Sequence, residues 1–300
     1  MTRVPPRLSR RPARKRFGQH FLEPQWVLKV VAAIAPRPEE RFLEIGPGRG
    51  ALTAALAARC HSIVAVEIDW DLGAELTDAA LPNVRVVVGD FLETPIDEWR
   101  ERSRTYRVAA NLPYNVATPI LFRLLALARD GLLVDAVLML QREVADRLAA
   151  RPGHRTWGPL GILTQLQAEV DYVLTLPPGA FRPAPRVHSA LVRLRFREDA
   201  VAVGDYPHFV HLVRGLFLHR RKTLANALRE MERHSVREQP SFSASGPEAP
   251  AGRGRPKSRS VPDRYAVPFI LARANLDGGR RPETLELAEL ARLSRSYRLA

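Results

Sequence analysis

The chain is poor in cysteine and in long hydrophobic runs, and each shortage excludes a class of protein. Its one cysteine, Cys60, rules out an internal disulfide framework and most cysteine-rich metal sites, and we predict no metal-ligand set. No run of eighteen apolar residues occurs, so we expect no membrane-spanning helix. Both features fit a cytoplasmic protein.

Lysine is also scarce, although the chain is strongly basic. Its 300 residues include 46 basic ones, of which only four are lysine. The formal net charge of +14 and a pI near 10.9 indicate a polyanionic partner such as nucleic acid. GC-rich coding would give the same arginine excess, so the charge alone leaves a merely basic enzyme as an alternative.

Half of the net charge lies at the start of the chain. Residues 1–16 hold seven basic residues and no acidic one. Prolines at positions 5, 6 and 12 disfavour a helix, which also argues against an organellar transit peptide. We predict a basic disordered arm over 1–16, which is either a solvated tail or a phosphate-binding segment.

Strand and helix patterns alternate over the first two thirds of the chain. The apolar and β-branched segments 41–45, 62–66, 84–88, 106–109, 134–140, 170–176 and 187–196 are predicted strands. Helical patterns between several of them predict an α/β fold with a mostly parallel sheet covered on both faces. We therefore assign residues 17–197 to one large domain.

The strand signals stop after residue 196. Helical patterns follow at 209–218, 223–232 and 285–293, which predicts a small all-α domain over 198–300. Residues 233–264 are rich in Ser, Pro, Gly and Arg, a composition typical of a flexible insertion.

A glycine turn, Gly46-Pro47-Gly48-Arg49-Gly50, follows the first predicted strand and precedes a helix. Glu67 ends the next strand, where a carboxylate can accept both ribose hydroxyls of a nucleoside. Asp90 follows the third strand and could accept from an adenine amine. The alternative is a set of ordinary helix-capping acids. Because the turn is tighter than a pyrophosphate-binding loop, S-adenosylmethionine fits better than a dinucleotide.

The segment Asn111-Leu112-Pro113-Tyr114 directly follows another predicted strand. The Asn111 side-chain oxygen and the Leu112 carbonyl can accept the two hydrogens of a planar exocyclic amine, which frees the nitrogen lone pair. Pro113 stiffens the turn, and Tyr114 can stack on a base. Catalysis would then rest on positioning and placed dipoles. The motif alone also fits an ordinary β-turn, but with the nucleoside site it predicts methyl transfer to a base amine.

Five motifs in order resemble those of the ribosomal RNA adenine N6,N6-dimethyltransferases, specifically the bacterial small-subunit enzymes linked to kasugamycin sensitivity. They are FGQHFL at 17–22, EIGPGRGALT at 44–53, NLPYN at 111–115, PPxxFxPxPxVxSA at 177–190 and RRKTL at 220–224. The resemblance implies a Rossmann-like class I methyltransferase with a seven-stranded sheet and a small C-terminal helical domain.

The implied reaction dimethylates two adjacent adenines in a hairpin loop near the 3′ end of 16S rRNA, within a small-subunit precursor. It uses four molecules of S-adenosylmethionine and releases S-adenosylhomocysteine. The sequence gives no sign of a stable dimer, so we expect a monomer.

The resemblance also assigns roles to particular residues. The cofactor-binding set is His20, Leu22, Gly46, Glu67, Asp90 and Asn111. Phe181 would stack on the target adenine opposite Tyr114, as proteins do with a flipped base. Arg220, Arg221 and Lys222 would meet RNA phosphates. Family members often have asparagine where this chain has His20.

Two other functions fit the same residues. A 23S rRNA adenine methyltransferase that gives macrolide resistance would share the cofactor site, although NLPYN, the proline-rich run and RRKTL resemble the small-subunit type more closely. A non-catalytic nucleic-acid-binding factor could use the same scaffold, yet it would not need Asn111, Tyr114, Glu67 and Asp90 together.

Overall fold

Nine strands and eleven helices form the part of the chain that the computed structural model describes, residues 13–14, 17–101, 104–237 and 263–298. Strands β1 to β9 span, in chain order, Phe21–Leu22, Arg41–Ile45, Ser62–Glu67, Val84–Val88, Tyr106–Asn111, Leu133–Gln141, Ala168–Leu176, Phe181–Arg182 and Ser189–Phe196. Helices α1 to α11 span Pro24–Ile34, Ala51–Ala57, Trp70–Asp78, Ile96–Trp99, Ala117–Arg129, Arg142–Leu148, Pro159–Gln167, Tyr206–Leu218, Leu224–Arg237, Asp263–Ala274 and Leu287–Arg298. None of these helices is long and apolar enough to cross a bilayer.

Seven strands form one sheet in the order β4-β3-β2-β5-β6-β9-β7. The pairs from β4 to β6 are parallel, whereas β9 is antiparallel to both β6 and β7. The predicted Rossmann-like α/β fold with a mostly parallel seven-stranded sheet is therefore confirmed. The order reverses next to β2, and the carboxyl ends of β2, β3 and β5 share one edge.

The central strands are continuous apolar runs because helices cover both faces of a parallel sheet. Ile63–Val66 of β3 and Val108–Ala110 of β5 are all buried. Helix α3, which the sequence analysis did not predict, packs close to β4 at a glycine. A Cβ atom on Gly73 would lie 2.7 Å from Val88 Cγ2, so a side chain there would push the helix away from the strand.

A second, two-stranded sheet joins β1 to β8 and was not predicted. Phe21 pairs with Arg182, and Leu22 pairs with Phe181. The Glu23 amide donates to the Ala180 carbonyl at 2.9 Å, and the Arg182 Nε lies 3.1 Å from a Glu23 carboxylate oxygen. The proline-rich motif is thus bound to the segment that precedes α1.

Buried charges occupy the amino-terminal ends of the central strands. Arg107 of β5 donates through Nε and Nη2 to both carboxylate oxygens of Asp135, at 2.7 and 2.9 Å. Its Nη1 reaches Glu40 at 2.7 Å, and Nη2 also donates to the Ile34 carbonyl at the end of α1. Each nitrogen of this guanidinium therefore has an acceptor.

Cys60 lies in the hydrophobic core of the sheet region. Burial, together with the nearby negative charges of Glu44 and Glu40, raises the pKa of its thiol to about 11. The thiol is therefore protonated and unreactive at neutral pH, as expected for a cysteine that fills space.

The described chain divides into two compact units, with boundaries after Ala149, Ile162 and Ala200. The first unit holds both sheets. The second comprises residues 150–162 and the chain after 200, and it contains α8 to α11. Within it, the Trp157 indole donates to the Leu285 carbonyl at 3.1 Å, which fastens the 150–162 segment to the helices.

The second unit is helical, as the sequence analysis expected, but one of its helices was not predicted. Helix α10 carries Pro268 in its interior, and proline usually disfavours a helix. Helix α9 continues to Arg237, so the predicted insertion 233–264 begins inside it. The rest of that insertion up to residue 262 and most of the predicted arm, residues 1–12 and 15–16, lie outside the described residues.

Candidate active site

A cleft opens at the carboxyl ends of β2, β3 and β5, the edge where open α/β sheets bind ligands. It encloses about 800 Å3 including its open mouth, and its walls come from 17–22, parts of 44–52, 67–68, 111–114 and Met139. Eight of the predicted site residues line it: His20, Leu22, Gly46, Glu67, Asn111, Leu112, Pro113 and Tyr114.

The glycine turn forms the floor of this cleft. Gly46 and Gly48 have φ values of 67° and 58°, which residues with side chains rarely adopt. A Cβ atom on Gly48 would lie 3.0 Å from Phe21, whereas the space beside Gly46 is open for 4 Å. A ligand can therefore approach the backbone at Gly46.

Glu67 is 3% exposed and ends β3 at the cleft wall. Its Oε2 accepts the Gly48 amide at 2.8 Å, and its Oε1 accepts the Asp69 amide at 2.9 Å. Burial raises the pKa of this carboxyl, and the two amide bonds oppose that rise. Since a carboxylate oxygen can accept two hydrogen bonds, Glu67 is held in place and can still accept from a ligand.

Glu44 is a second acid in the cleft wall, to which the sequence analysis gave no role. It is 1% exposed, and burial with the neighbouring Glu67 raises its pKa to about 8. Within the described structure, no group bonds its Oε2. The only feature of the sequence that could have indicated a role for Glu44 is its position as the first residue of the EIGPGRG motif. Burial thus favours the protonated form of Glu44, although Thr53 opposes the rise in pKa, and its Oε2 can exchange a hydrogen bond with a ligand.

Asn111 ends β5 with its amide in a defined orientation. The Nδ2 donates to the His20 carbonyl at 2.6 Å, so the Oδ1 faces away from that bond. Next to it, the Leu112 amide donates to the Met139 carbonyl at 3.2 Å. No described residue donates to Asn111 Oδ1 or to the Leu112 carbonyl. The two predicted acceptors are thus adjacent and available.

Tyr114 is held from two sides at the cleft mouth. Its hydroxyl and the Ser189 Oγ lie 2.6 Å apart, and burial raises the pKa of the phenol. The His20 ring stacks on it with centroids 5.5 Å apart and planes 26° apart. Neither contact could be predicted from the sequence, because each joins residues more than 70 positions apart.

His20 and Leu22 lie on either side of Phe21 in the segment that precedes α1. The His20 Nδ1 lies 2.7 Å from the Pro183 carbonyl oxygen, a bond to the proline-rich motif. Leu22 packs partly buried against the core. His20 thus contacts Asn111 and Tyr114, the residues predicted to bind the target base. Its own predicted role was in cofactor binding.

Asp90 lies two residues after β4 and does not line the cleft. Its Oδ1 accepts the Leu92 amide at 2.8 Å, a turn-forming bond. Arg123 of α5 binds the carbonyls of Leu92 and Thr94 in the same loop. The structure therefore fixes the Asp90 loop, and contact between Asp90 and an adenine amine stays a prediction.

Phe181 is 1% exposed and belongs to the hydrophobic core beneath β8. In this structure its ring offers no open face to the cleft. The stacking role that the resemblance implied stays a prediction, and it requires a shift of the β1–β8 pair.

The three basic residues of the RRKTL motif lie between α8 and α9 in the second unit. Arg220 binds the Glu283 carboxylate at 3.0 and 2.7 Å and the Arg155 carbonyl at 2.9 Å. Lys222 pairs with Glu230 at 2.7 Å. Arg221 is exposed. The predicted phosphate contact is therefore best served by Arg221, since the other two already have carboxylate partners.

Comparison with known proteins agrees with this geometry. Residues 10–250 match the family model described as ribosomal RNA adenine dimethylase. A ribosomal RNA small subunit methyltransferase A from Geobacter metallireducens is 42% identical over 290 residues, covering 95% of both chains. Another from Xanthomonas campestris pv. campestris is 43% identical over 221 residues, covering 72% of this chain and 83% of that one.

Solved structures show the same fold at lower identity. A dimethyladenosine transferase from Plasmodium falciparum aligns with a TM-score of 0.71 at 24% identity, covering 91% of this chain and 96% of that one. The 23S rRNA methyltransferase ErmE aligns with a TM-score of 0.62 at 23% identity, covering 93% and 99%. The family model and the curated relatives together place this chain in the ribosomal RNA adenine dimethylase family.

Proposed function

We propose that this protein transfers methyl groups from S-adenosylmethionine to the N6 amines of two adjacent adenines in 16S rRNA, giving N6,N6-dimethyladenine. Its relatives in Geobacter and Xanthomonas carry the name small subunit methyltransferase, which supports the small-subunit target. The rRNA would be met within a small-subunit precursor in the cytoplasm, and the protein would act as a monomer.

The orientation of Asn111 is the observation that carries this proposal. Its amide nitrogen is taken by the His20 carbonyl, so its oxygen is the end left for a substrate. That oxygen and the Leu112 carbonyl are both acceptors, which suits an amine with two hydrogens. A site for a carbonyl substrate would need a donor there instead.

The cleft also fits the cofactor. The open space beside Gly46 lets a nucleoside approach the glycine turn, and Glu67 can accept ribose hydroxyls. Oε2 of the buried Glu44 has no hydrogen-bond partner among the described residues, so it can bond a polar group of the cofactor. When bound, S-adenosylmethionine supplies an electrophilic methyl carbon on a positively charged sulfur.

The residues of the chain act by holding and polarising the amine. Hydrogen bonds from N6 to Asn111 Oδ1 and to the Leu112 carbonyl favour a pyramidal nitrogen with an available lone pair. That lone pair would attack the methyl carbon that S-adenosylmethionine supplies, and the departing sulfur would keep the electron pair of the broken S–C bond. The nitrogen then loses a proton to water, so no general base is required. Tyr114 holds the base by stacking while Ser189 fixes the phenol.

The test is methylation of small-subunit particles that lack dimethylated adenines. We expect the purified protein with S-adenosylmethionine to create a reverse-transcription stop at two adjacent adenines near the 3′ end of 16S rRNA. Asn111→Ala should lower the single-turnover rate at least about a hundredfold, the usual loss when a preorganised polar group is removed. Its affinity for the cofactor should stay within a few-fold.

Asn226→Ala is the matched control, since Asn226 is exposed on α9 and has no part in the cleft. Methylation of 23S rRNA alone would contradict the small-subunit target. Cofactor binding without methylation of either rRNA would favour a non-catalytic binding factor.

A further inference from the structure

Residues 17–22, here called the strap, form one wall of the cleft. Two adjacent residues of the strap, Gln19 and His20, attach it to Asp69 and to Asn111. Through these bonds the strap contacts Asp69, which is bonded to Glu67 of the cofactor site, and Asn111, which is assigned to the target amine. The attachments are side-chain bonds of Gln19 and of the preceding Arg14, together with the backbone carbonyl and the ring of His20. The motif FGQHFL alone does not reveal them.

The first attachment is at Asp69, the residue that caps α3. Gln19 Nε2 donates to Asp69 Oδ2 at 3.1 Å, and Arg14 Nη1 donates to Asp69 Oδ1 at 2.9 Å. The Arg14 amide donates to Gln19 Oε1 at 2.8 Å. Asp69 is only 2% exposed, and a buried carboxylate needs such partners. The strap is thus attached to Asp69 by the hydrogen bonds of Gln19 and Arg14.

Asp69 is also bonded to the ribose-binding residue. Its amide donates to Glu67 Oε1 at 2.9 Å. One residue therefore holds the strap through its side chain and Glu67 through its backbone.

The second attachment is at the amine-binding residue. The His20 carbonyl accepts the Asn111 amide at 2.6 Å, and the His20 ring stacks on Tyr114. The Nδ1 of His20 meets the Pro183 carbonyl oxygen at 2.7 Å, so the ring is fixed as well.

We propose that Gln19 and Arg14 are positioning residues for methyl transfer. By anchoring the strap at Asp69, they set the place of the His20 carbonyl, which in turn fixes the Asn111 amide. This rests on the proposed function for the roles of Asn111 and Glu67.

The physical reason is the weak torsional preference of an asparagine amide. Its last side-chain torsion has broad, roughly two-fold wells, so an unfixed amide can turn its nitrogen toward the substrate. A donor would then face the amine hydrogens, and the acceptor would be lost. A displaced strap therefore weakens catalysis without removing any group that touches the substrate.

The same arrangement links the two ligands. If cofactor binding at Glu67 steadies Asp69 and the strap, it also steadies Asn111 for the adenine. Linkage requires the converse, so the adenine should strengthen cofactor binding by the same factor.

The test uses Gln19→Met, which removes both Gln19 bonds at nearly constant size. At saturating RNA and cofactor, we expect a roughly tenfold lower single-turnover rate, or about 1.4 kcal/mol of barrier. In an Asn111→Ala background the same change should cost no further rate, because Gln19 acts through Asn111. Equal losses in both backgrounds would overturn the inference, as would an unchanged rate in Gln19→Met.

Two further variants separate positioning from a general loss of structure. Arg14→Met should reproduce the loss while leaving Gln19 in place. Gln19→Glu should be slow at pH 8, where a second carboxylate faces Asp69. Its rate relative to wild type should rise toward pH 5, because a protonated glutamic acid repeats the donor and acceptor of glutamine. A constant ratio across this range would count against the anchor.

The inference can be judged even if the proposed substrate is wrong. The side-chain NH2 resonances of Asn111 can be assigned in nitrogen-15 NMR spectra by their loss in Asn111→Ala. Gln19→Met should shift them in the full-length protein without RNA. Unshifted resonances would overturn the strap inference, whereas absent methylation by wild type would overturn only the proposed function.

Discussion

The sheet of the first unit buries charged groups at both ends of its strands. The two ends differ in how completely these groups are hydrogen-bonded within the protein. At the amino ends, every nitrogen of Arg107 has a protein acceptor and both oxygens of Asp135 are bonded. At the carboxyl ends, Glu44 keeps an unpaired oxygen and Asn111 keeps an available acceptor. A hydrogen-bond network whose polar atoms all have partners within the protein contributes to stability. A network that leaves acceptors without protein donors can bind a ligand.

The largest effect should come from breaking the complete network. Arg107→Met removes the cation bonded to both oxygens of Asp135, which then keeps only Arg193 at 3.8 Å, and it removes the cation beside Glu40. Breaking a buried pair in this way typically costs about 3–5 kcal/mol. Urea unfolding should show this loss in the free energy of unfolding. Arg129→Met removes a more exposed pair with Asp199 and should cost less than about 1 kcal/mol. If both variants lost a similar free energy of unfolding, the Arg107 network would contribute no more to stability than an exposed ion pair.

At the open end, Glu67→Ala should weaken cofactor binding as well as the fold, because it also leaves the Gly48 and Asp69 amides without their acceptor. The loss of charge-assisted bonds to the ribose should cost roughly 2–4 kcal/mol of binding free energy. Isothermal titration calorimetry with S-adenosylmethionine measures it, and Glu93→Ala at an exposed position is the control. Wild-type affinity in Glu67→Ala would contradict the assignment of the ribose site.

Glu44 should make stability depend on pH. Its folded pKa of about 8 lies above its ordinary value of 4.5, so the folded state binds the extra proton. Its contribution to stability is complete below pH 4.5 and is lost as the pH rises through 8. Glu44→Gln should therefore gain about 5–10 °C in Tm over wild type on going from pH 6 to pH 9, because the two pH units between pH 6 and the folded pKa amount to about 2.7 kcal/mol. An unchanged difference in Tm would contradict a folded pKa of about 8 for Glu44.

The smallest effects concern the basic turn of the second unit. There Arg220, which is paired with Glu283, can be compared with the exposed Arg221, for which no carboxylate partner occurs among the described residues. Arg221→Ala should lower the salt slope of RNA binding by about 0.7–0.9 log unit per log salt. Arg220→Ala should leave this slope alone and lower Tm, because Arg220 is bound to Glu283. Filter binding at several salt concentrations separates the two. Equal slopes for both variants would mean that neither arginine, or both, meets phosphate.

The sequence predicts the sheet well because each central strand is a buried apolar run with a turn after it. The same logic locates Glu67 and Asn111, since residues at the carboxyl ends of parallel strands converge on one edge. For these positions, local pattern and topology agree.

Contacts that join distant segments are beyond local pattern. The pairing of β1 with β8, the bond between Tyr114 and Ser189, and the Glu283 partner of Arg220 all depend on tertiary packing. The burial of Phe181 also depends on tertiary packing, because its two-residue strand β8 pairs with the distant strand β1. The motifs named some of these residues but gave no indication of what they touch.

The buried, protonated thiol of Cys60 has a practical consequence for spectroscopy. Since it is the only cysteine of the chain, the native protein should show almost no background labelling with maleimide dyes or nitroxide spin labels. One engineered surface cysteine would then carry a single probe, and two would give a distance by paramagnetic resonance. Movements of individual helices could be followed in solution without first replacing the natural cysteine.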